Sequence, residues 1–434
     1  MSVFVSLDAG LVCHRGHVTC LGRTSQMRGS DSHWRPGQVV PAAAGRVGLT
    51  GEAVDCRLRP VRIVVSAGEA SGRAMLDRFK LEMARLDPAC EVISLQDTAR
   101  LEPVFGFWEG LRAGPRLRGV LDRAESSVAR LAPDAAVLVS FSGLHLPLGR
   151  RLRRRRIPVL HLGPPQVWAW GGWRKRQLRR AADTVVCLFR FEEELLRRAG
   201  VKAVYLGYPL LDGVMSSLSR ERTLESLGFG PSEHYIVFLP GSRSAEIAYH
   251  QPLFVEVLAR LRRAAKRVRG VMVATEASPK SGAGDREAEG GMVVVRENRY
   301  DVMRHADCAC AVSGTVTAEL ALLGVPMAVC YHLPWLSRLL ARALVRVSSF
   351  ALPNILAGKP FVPEVLEPEP ESLLRMLAPL MRDSAERRNQ LDGLARVAEA
   401  LGPPGAMARI CALAREMAAV GRRPGKDQGQ GTKD

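Results

Sequence analysis

The sequence predicts an α/β protein of two domains, each a parallel sheet covered by helices on both faces. Short β-branched runs alternate with longer helix-period patterns, glycine-bounded turns stand where a run hands over to a helix, and the series restarts near residue 235. Length and composition agree. The chain has 434 residues, 47% hydrophobic and 24% charged, which allows two cores and excludes disordered and fibrous classes.

Residues 1–58 hold no sustained periodicity and are rich in Gly, Arg and Ser, so a poorly ordered extension is expected there. After Pro60, Val61-Arg62-Ile63-Val64-Val65 reads as a strand, Gly68-Glu69-Ala70-Ser71-Gly72 as its turn, and Leu76, Phe79, Met83 and Leu86 as a helix face. The unit repeats, with strands expected at 135–139, 157–162, 184–188 and 204–206 and basic or amphipathic helices between them. A second series places strands at 235–239, 271–274, 291–295, 308–312 and 327–331, with helices around 252–262, through Met303 and after Ser313-Gly314-Thr315. Residues 371–420 read as amphipathic helix and 421–434 as a disordered tail. The divisions that follow are an extension 1–58, a first domain 59–212, a second domain 213–395, a C-terminal helix 396–420 and the tail. In open parallel sheets ligands bind beyond the carboxyl ends of the strands, so the strand-end loops of both halves are expected to face a common cleft.

Lys and Arg number 62 against 44 Asp and Glu, a formal charge of +18 that suits an anionic partner: phosphate, phospholipid headgroups or nucleic acid. Charge alone does not choose among them. The nine cysteines are scattered, with no C-x-x-C pair, and read as reduced cytosolic thiols. Residues 1–12 lack the basic start and small-residue cleavage site of a secretory signal. The uncharged stretch 320–337 is interrupted by Gly324, Pro326, His332 and Pro334, and reads as a helix end, turn, strand and apolar loop rather than a membrane span.

Three strand-end loops carry chemistry. Gly68, Ser71 and Gly72 bound a turn whose free amides and helix dipole favour an anion, and Glu69 beside it asks for a hydroxyl or a cation. Pro240-Gly241-Ser242-Arg243-Ser244-Ala245-Glu246 carries an arginine suited to a bidentate grip on phosphate. Ser313, Gly314 and Thr315 stand at a helix start with Glu319 one turn on, which an ordinary N-cap would also explain. Together the three loops point to a sugar-nucleotide pocket. Trp168, Trp170 and Trp173 precede the cations Arg174, Lys175, Arg176, Arg179 and Arg180, a pattern that fits a membrane interface or a packed aromatic cluster followed by a solvated helix. Arg150, Arg151 and Arg153 to Arg156 form a second basic run. Single-stranded nucleic acid could use such ingredients, but the chain contains no recognisable nucleic-acid motif.

Read in order, Ser66-Ala67-Gly68-Glu69-Ala70-Ser71-Gly72, the region 106–109, Val167-Trp168-Ala169-Trp170 with its basic segment, Leu239 through Glu246, Ser313-Gly314-Thr315-Val316-Thr317-Ala318-Glu319 and Leu352-Pro353-Asn354-Ile355-Leu356-Ala357-Gly358 carry a resemblance. From about residue 61 to 395 they resemble the lipid-A-disaccharide synthase family, the inverting glycosyltransferases of lipopolysaccharide assembly. The resemblance implies a GT-B architecture with the nucleotide held mainly by the C-terminal domain. It implies transfer of 2,3-diacylglucosamine from its UDP derivative to 2,3-diacylglucosamine 1-phosphate, with release of UDP, by a cytoplasmic protein peripheral on the inner face of the inner membrane. Arg243 and Asn354 fall on family positions implicated in activity, and Ser313, Thr315 and Glu319 on the nucleotide-binding segment. Trp168, Trp170, Trp173, Arg174 and Arg176 then acquire an anionic membrane surface as partner. No metal, cofactor or nucleic acid is expected, and a homodimer is admitted.

The sequence also departs from the family. After the strand ending in Val139, members carry Gly-Ile-Asp-Ala-Pro-Asp-Phe-Asn, whose first Asp is proposed as catalytic; here the segment is Ser140-Phe141-Ser142-Gly143-Leu144-His145, and Ser140 is read in place of that Asp. The Asp expected after Gly-Glu-Ala-Ser-Gly is Arg73, and the segment 91–103 is shorter than usual. Direct displacement needs a group that takes the acceptor hydroxyl's proton. Glu69 or His145 is expected in that role, a histidine having an intrinsic pKa near 6.5. The competing readings are a homologue that binds UDP-sugar or lipid without making this product, a related enzyme acting on another UDP-sugar, and a basic nucleic-acid-binding protein.

Overall fold

The computed structural model describes residues 11–14, 17–20, 59–68, 70–99, 114–169, 171–264, 267–275, 278, 291–332 and 349–421. The chain divides into two units, Met1–Leu58 and Arg59–Asp434. Of the first, the described residues form an antiparallel pair, β1 (Leu11–His14) and β2 (His17–Cys20).

The second unit holds two parallel sheets. The first is built from β3 (Arg62–Ala67), β4 (Glu91–Ser94), β5 (Ala135–Val139), β6 (Val159–Leu162), β7 (Thr184–Cys187) and β8 (Ala203–Tyr205) in the order β4-β3-β5-β6-β7-β8. Its helices are α1 (Ala70–Leu86), α2 (Leu95–Ala99), α3 (Gly114–Leu131), α4 (Ser142–Arg154), α5 (Arg174–Ala181) and α6 (Arg190–Arg197). α7 (Arg220–Leu227) leads into the second sheet: β9 (His234–Leu239), β10 (Val268–Val273), β11 (Val293–Val295), β12 (Cys308–Val312), β13 (Met327–Tyr331) and β14 (Glu364–Leu366), ordered β11-β10-β9-β12-β13-β14. Its helices are α8 (Ser244–Ala264), α9 (Arg299–Arg304), α10 (Val316–Leu323), α11 (Leu352–Ala357), α12 (Pro370–Leu377) and α13 (Ala385–Ala400), and α14 (Ala406–Gly421) follows.

The central strands are buried on both faces, which is why they read as near-continuous apolar runs. Ile63 and Val65 of β3 face one core, with Met75, Phe79 and Met83 of α1, and Val64 faces the other, with Leu144, Leu148 and Leu152 of α4. Met407, Ile410, Cys411, Ala414 and Ala418 of α14 belong to the same cluster as Ile63 and Val65, so the last helix returns to cover the first sheet.

Two crossings join the domains and lie side by side. The Tyr208 amide donates to the Leu401 carbonyl at 3.2 Å and the Tyr205 hydroxyl to the same oxygen at 2.7 Å. Asp212, on the outgoing crossing, caps α14 on the return by accepting from the Gly405 and Met407 amides at 2.5 and 3.0 Å. Phe189, beyond β7, stacks on Tyr208 at 5.8 Å, and both lie in the core cluster of the second domain.

In each sheet the strand order reverses once with respect to the chain: between β3 and β5 in the first, between β9 and β12 in the second. Connections leave on opposite faces of the sheet there, the position at which open α/β sheets generally bind their ligands.

Candidate active site

At the first reversal, the loops after β3 and β5 press together. A Cβ on Gly68 would drive into the Phe141 ring, so glycine is required there. Gly72 closes the first turn of α1 against Ala67 and Val139 at ordinary contact distance, and Ser71 stands in the same turn. Glu69 lies outside the described residues, as does the region 106–109. Ser140 and Phe141 both have left-handed backbone, with φ of 52° and 44°, a conformation that costs each non-glycine residue about 1 kcal/mol or more and needs surrounding bonds to hold it.

His145 supplies those bonds. It is fully buried, its Nδ1 lies 2.8 Å from the Ser140 carbonyl oxygen and its Nε2 2.9 Å from the Ser66 hydroxyl. A carbonyl only accepts, so Nδ1 carries the proton and Nε2 accepts from Ser66. Ser66 in turn accepts from the Gln96 amide at 3.0 Å. The chain Gln96–Ser66–His145–Ser140 thus pins the strained loop to β3. Burial pushes the imidazole down to about 4 against the opposing backbone hydrogen bonds, and His161, 6.4 Å away ring to ring, is pushed to about 3 by burial and then by His145. The expectation that His145 takes a substrate proton therefore does not fit: it is neutral, closed to solvent and has both nitrogens engaged. Ser142 opens α4, and the Cα of the neighbouring Gly143 faces open space.

At the second reversal, the loop after β9 turns at Gly241, with φ of 110°. The Glu246 carboxylate fills the turn: Oε2 accepts from the amides of Ser242 and Arg243 at 3.0 and 3.2 Å, and Oε1 pairs with Arg243 Nη1 at 3.2 Å. The anion seat that the loop amides promise is thus taken by the protein's own carboxylate, and the half-exposed Arg243 side chain is the part left to face a ligand. Sequence reading missed this role of Glu246, although it stands three residues after Arg243, the residue before α8, which is the spacing of a capping carboxylate.

Ser313, Gly314 and Thr315 stand between β12 and α10 on the neighbouring strand. The Ser313 hydroxyl donates to the Phe350 carbonyl at 2.8 Å, drawing the segment before α11 to this loop. Glu319 is buried with one carboxylate oxygen lacking a hydrogen bond, and Arg299 Nη2 lies 3.7 Å from it. Burial raises its pKa, while Arg299 and a hydrogen bond from Tyr300 oppose the rise. Arg299 and Tyr300 on α9 are partners that no motif signalled. Asn354 is 1% exposed: Oδ1 accepts from the Phe361 and Val362 amides, both at 2.9 Å, and Nδ2 donates to the Val362 carbonyl at 2.8 Å. It brackets the turn after α11 and is closed to solvent, which fits a positioning role rather than direct contact with substrate.

The tryptophans separate. Trp168 donates its indole N–H to the buried Glu192 at 3.1 Å and meets Phe191 edge-on at 5.5 Å. Trp173 is 62% exposed with the half-buried Arg174 guanidinium 5.7 Å over its ring, and Arg176 is exposed. Trp170 lies outside the described residues.

Comparison with known proteins puts this geometry in context. Among solved structures, UDP-GlcNAc 2-epimerase from Neisseria meningitidis bound to UDP-GlcNAc matches with a TM-score of 0.56 at 12% identity, over 82% of this chain and 100% of that one. The glycotransferase of kitacinnamycin matches at 0.53 and 15% identity, over 83% and 99%. These likenesses show the fold, the GT-B arrangement of two Rossmann-like domains found in glycosyltransferases and epimerases. In sequence, the lipid-A-disaccharide synthase of Solibacter usitatus is 34% identical over 375 residues, covering 82% of this chain and 97% of that one. That of Geobacter metallireducens is 32% identical over 372 residues with the same coverage. The family model described as lipid-A-disaccharide synthetase matches residues 63–413, from the start of β3 into α14. All but the first residue of the two sheets, both reversal points and the first half of the returning helix lie within that match, and the chain belongs to the lipid-A-disaccharide synthase family.

Proposed function

We propose that the protein transfers 2,3-diacylglucosamine from UDP-2,3-diacylglucosamine to 2,3-diacylglucosamine 1-phosphate, releasing UDP, at the inner face of the inner membrane. The observation that carries the nucleotide half is the buried Glu319 oxygen without a hydrogen bond at the first turn of α10. An acceptor-only group in that position is matched by a hydroxyl-bearing ligand such as a ribose. Arg243, one strand away, faces the diphosphate, and its charge stabilises the leaving UDP as the bond to the anomeric carbon breaks. The acceptor hydroxyl oxygen forms the new bond at that carbon from the opposite side. Its proton goes to Glu69, which directly follows Gly68 in the sequence, and His145, through Ser140, holds the loop that packs against Gly68.

A second reading has its own support: Ser140 and Gly143 are read where the family segment carries its aspartates, which fits a homologue that binds the nucleotide without transferring sugar. Purified protein incubated with both substrates separates the two. Disaccharide and UDP are expected, with Glu69→Gln lowering kcat at least about 100-fold at little change in KM, the size of a lost general base. Binding of UDP without product would overturn the transfer reading, and wild-type turnover in Glu69→Gln would overturn the assignment of the base.

A further inference from the structure

The carboxyl end of β13 carries a cluster that the reaction outlined above leaves unused. His332, the residue after β13, stacks on Tyr249 of α8 with ring centroids 3.6 Å apart and planes at 11°. Its Nδ1 lies 2.7 Å from Glu367 Oε2. A carboxylate only accepts, so Nδ1 carries the proton and Nε2 of the neutral ring is an acceptor. No described residue bonds to that nitrogen, and the side chain is 29% exposed.

The ring is held from two directions. Glu367, just past β14, has left-handed backbone with φ of 56°, against the preference of a non-glycine residue, and its amide donates to the Tyr331 carbonyl at 3.0 Å. β13 and β14 already pair through Val329 to Tyr331, so joining the strands does not require the strained residue. What the strain accompanies is a carboxylate on His332. Tyr249 is held in turn by the buried His250, whose ring meets it edge-on at 5.1 Å and whose Nδ1 donates to the Glu246 carbonyl at 2.8 Å. An imidazole fixed in plane and tautomer, with one nitrogen unspent, is a preorganised acceptor for a hydroxyl.

The cluster stands beside the Arg243 turn. Burial and then Glu246 raise the pKa of Tyr331, and Arg243 lowers it, so the charges of that turn reach the end of β13. Along α8, Tyr249 lies six residues from Arg243, about 9 Å of helix rise. With Arg243 on the diphosphate, His332 is displaced from it by about the breadth of the attached sugar. In 2,3-diacylglucosamine the acyl groups occupy N2 and O3, which leaves the 4- and 6-hydroxyls as hydrogen-bond donors. We propose that His332 Nε2 accepts from one of these two hydroxyls of the donor sugar, with Glu367 fixing the tautomer and Tyr249 the ring plane. The inference deepens the transfer reading and rests on its UDP-sugar donor.

The test is equilibrium binding, in detergent, of UDP, UDP-2,3-diacylglucosamine and its 4-deoxy and 6-deoxy analogues to the purified full chain. His332→Phe keeps a ring for Tyr249 and removes both nitrogens. It should bind UDP as wild type does and the intact donor on the order of tenfold more weakly, the size of one lost hydrogen bond. Wild type should bind one of the two deoxy donors weaker by that same factor, while His332→Phe binds both like the intact donor. Glu367→Ala should weaken donor binding in the same direction, and Glu367→Gln, whose side-chain carbonyl still accepts from Nδ1, should restore it. An equal loss for UDP and donor would overturn the sugar contact in favour of a phosphate ligand. Unchanged donor binding in both His332→Phe and Glu367→Ala, or equal binding of all three donors by wild type, would overturn the proposal while leaving the UDP-sugar reading intact. Wild type that binds neither UDP nor donor would overturn that reading and this inference with it.

Discussion

His145 shows how far a side chain's role depends on what surrounds it. Because burial holds its pKa at about 4, below the 6.5 of the unfolded chain, the unfolded state binds more protons between those values. Stability is therefore full above pH 6.5 and is lost as pH falls toward 4. The loss from this one group between pH 7.5 and pH 5 is about 2 kcal/mol. Urea denaturation at the two pH values should show the wild-type difference shrink by that amount in His145→Asn. An unchanged difference would mean that the ring is hydrated. The sequence made this histidine conspicuous by placing it in a family segment, but its function in the fold is not readable there: its partners, Ser66 and Ser140, become neighbours only when β3 pairs with β5. Asn354 repeats the lesson, since its partners lie just downstream in a turn with no motif. Glu319 was legible because the Ser-Gly-Thr loop and the carboxylate sit on one helix turn.

Strands of six or five residues in the middle of a sheet, β3, β5, β9, β12 and β13, stand out in the sequence because burial on both faces makes their apolar residues nearly continuous. The edge strands β4 and β14 went unread. They have four and three residues and half-exposed side chains, too few to show a period. α8 begins at Ser244, earlier than expected, and carries Pro252 inside it, where the sequence had suggested a start. At the head of α6, Glu192 reaches back to the Leu188 and Phe189 amides at 3.0 and 3.1 Å while taking the Trp168 indole proton. Burial raises its pKa to about 7, so this helix start and the Trp168 loop share a titration near neutrality. Emission assigned to Trp168 by difference from Trp168→Phe should shift with a midpoint near pH 7 and lose that transition in Glu192→Gln. A midpoint near 4.5 would show that the carboxyl is solvated.

Across the whole molecule, the organising feature is the pair of adjacent crossings, since the second domain is in effect inserted into the first between Tyr205 and Gly405. Asp212 ties the outgoing crossing to α14, so Asp212→Ala should cost about 1–2 kcal/mol, the usual worth of a helix cap. Denaturant melts followed by first-domain tryptophan fluorescence would detect it, and an unchanged midpoint would mean that solvent caps α14 equally well. No pattern in the sequence forecast that residues 406–421 belong with residues 62–205, because amphipathic spacing gives a helix an apolar face without naming what covers it. The arrangement has a consequence for synthesis. β3 and β5 expose the face that α14 will cover while the ribosome adds the intervening domain and reaches residue 421, roughly 10–40 s at ordinary elongation rates. The nascent first domain must spend that interval with an apolar flank uncovered, while the later-made second domain has the continuous sequence it needs to fold first.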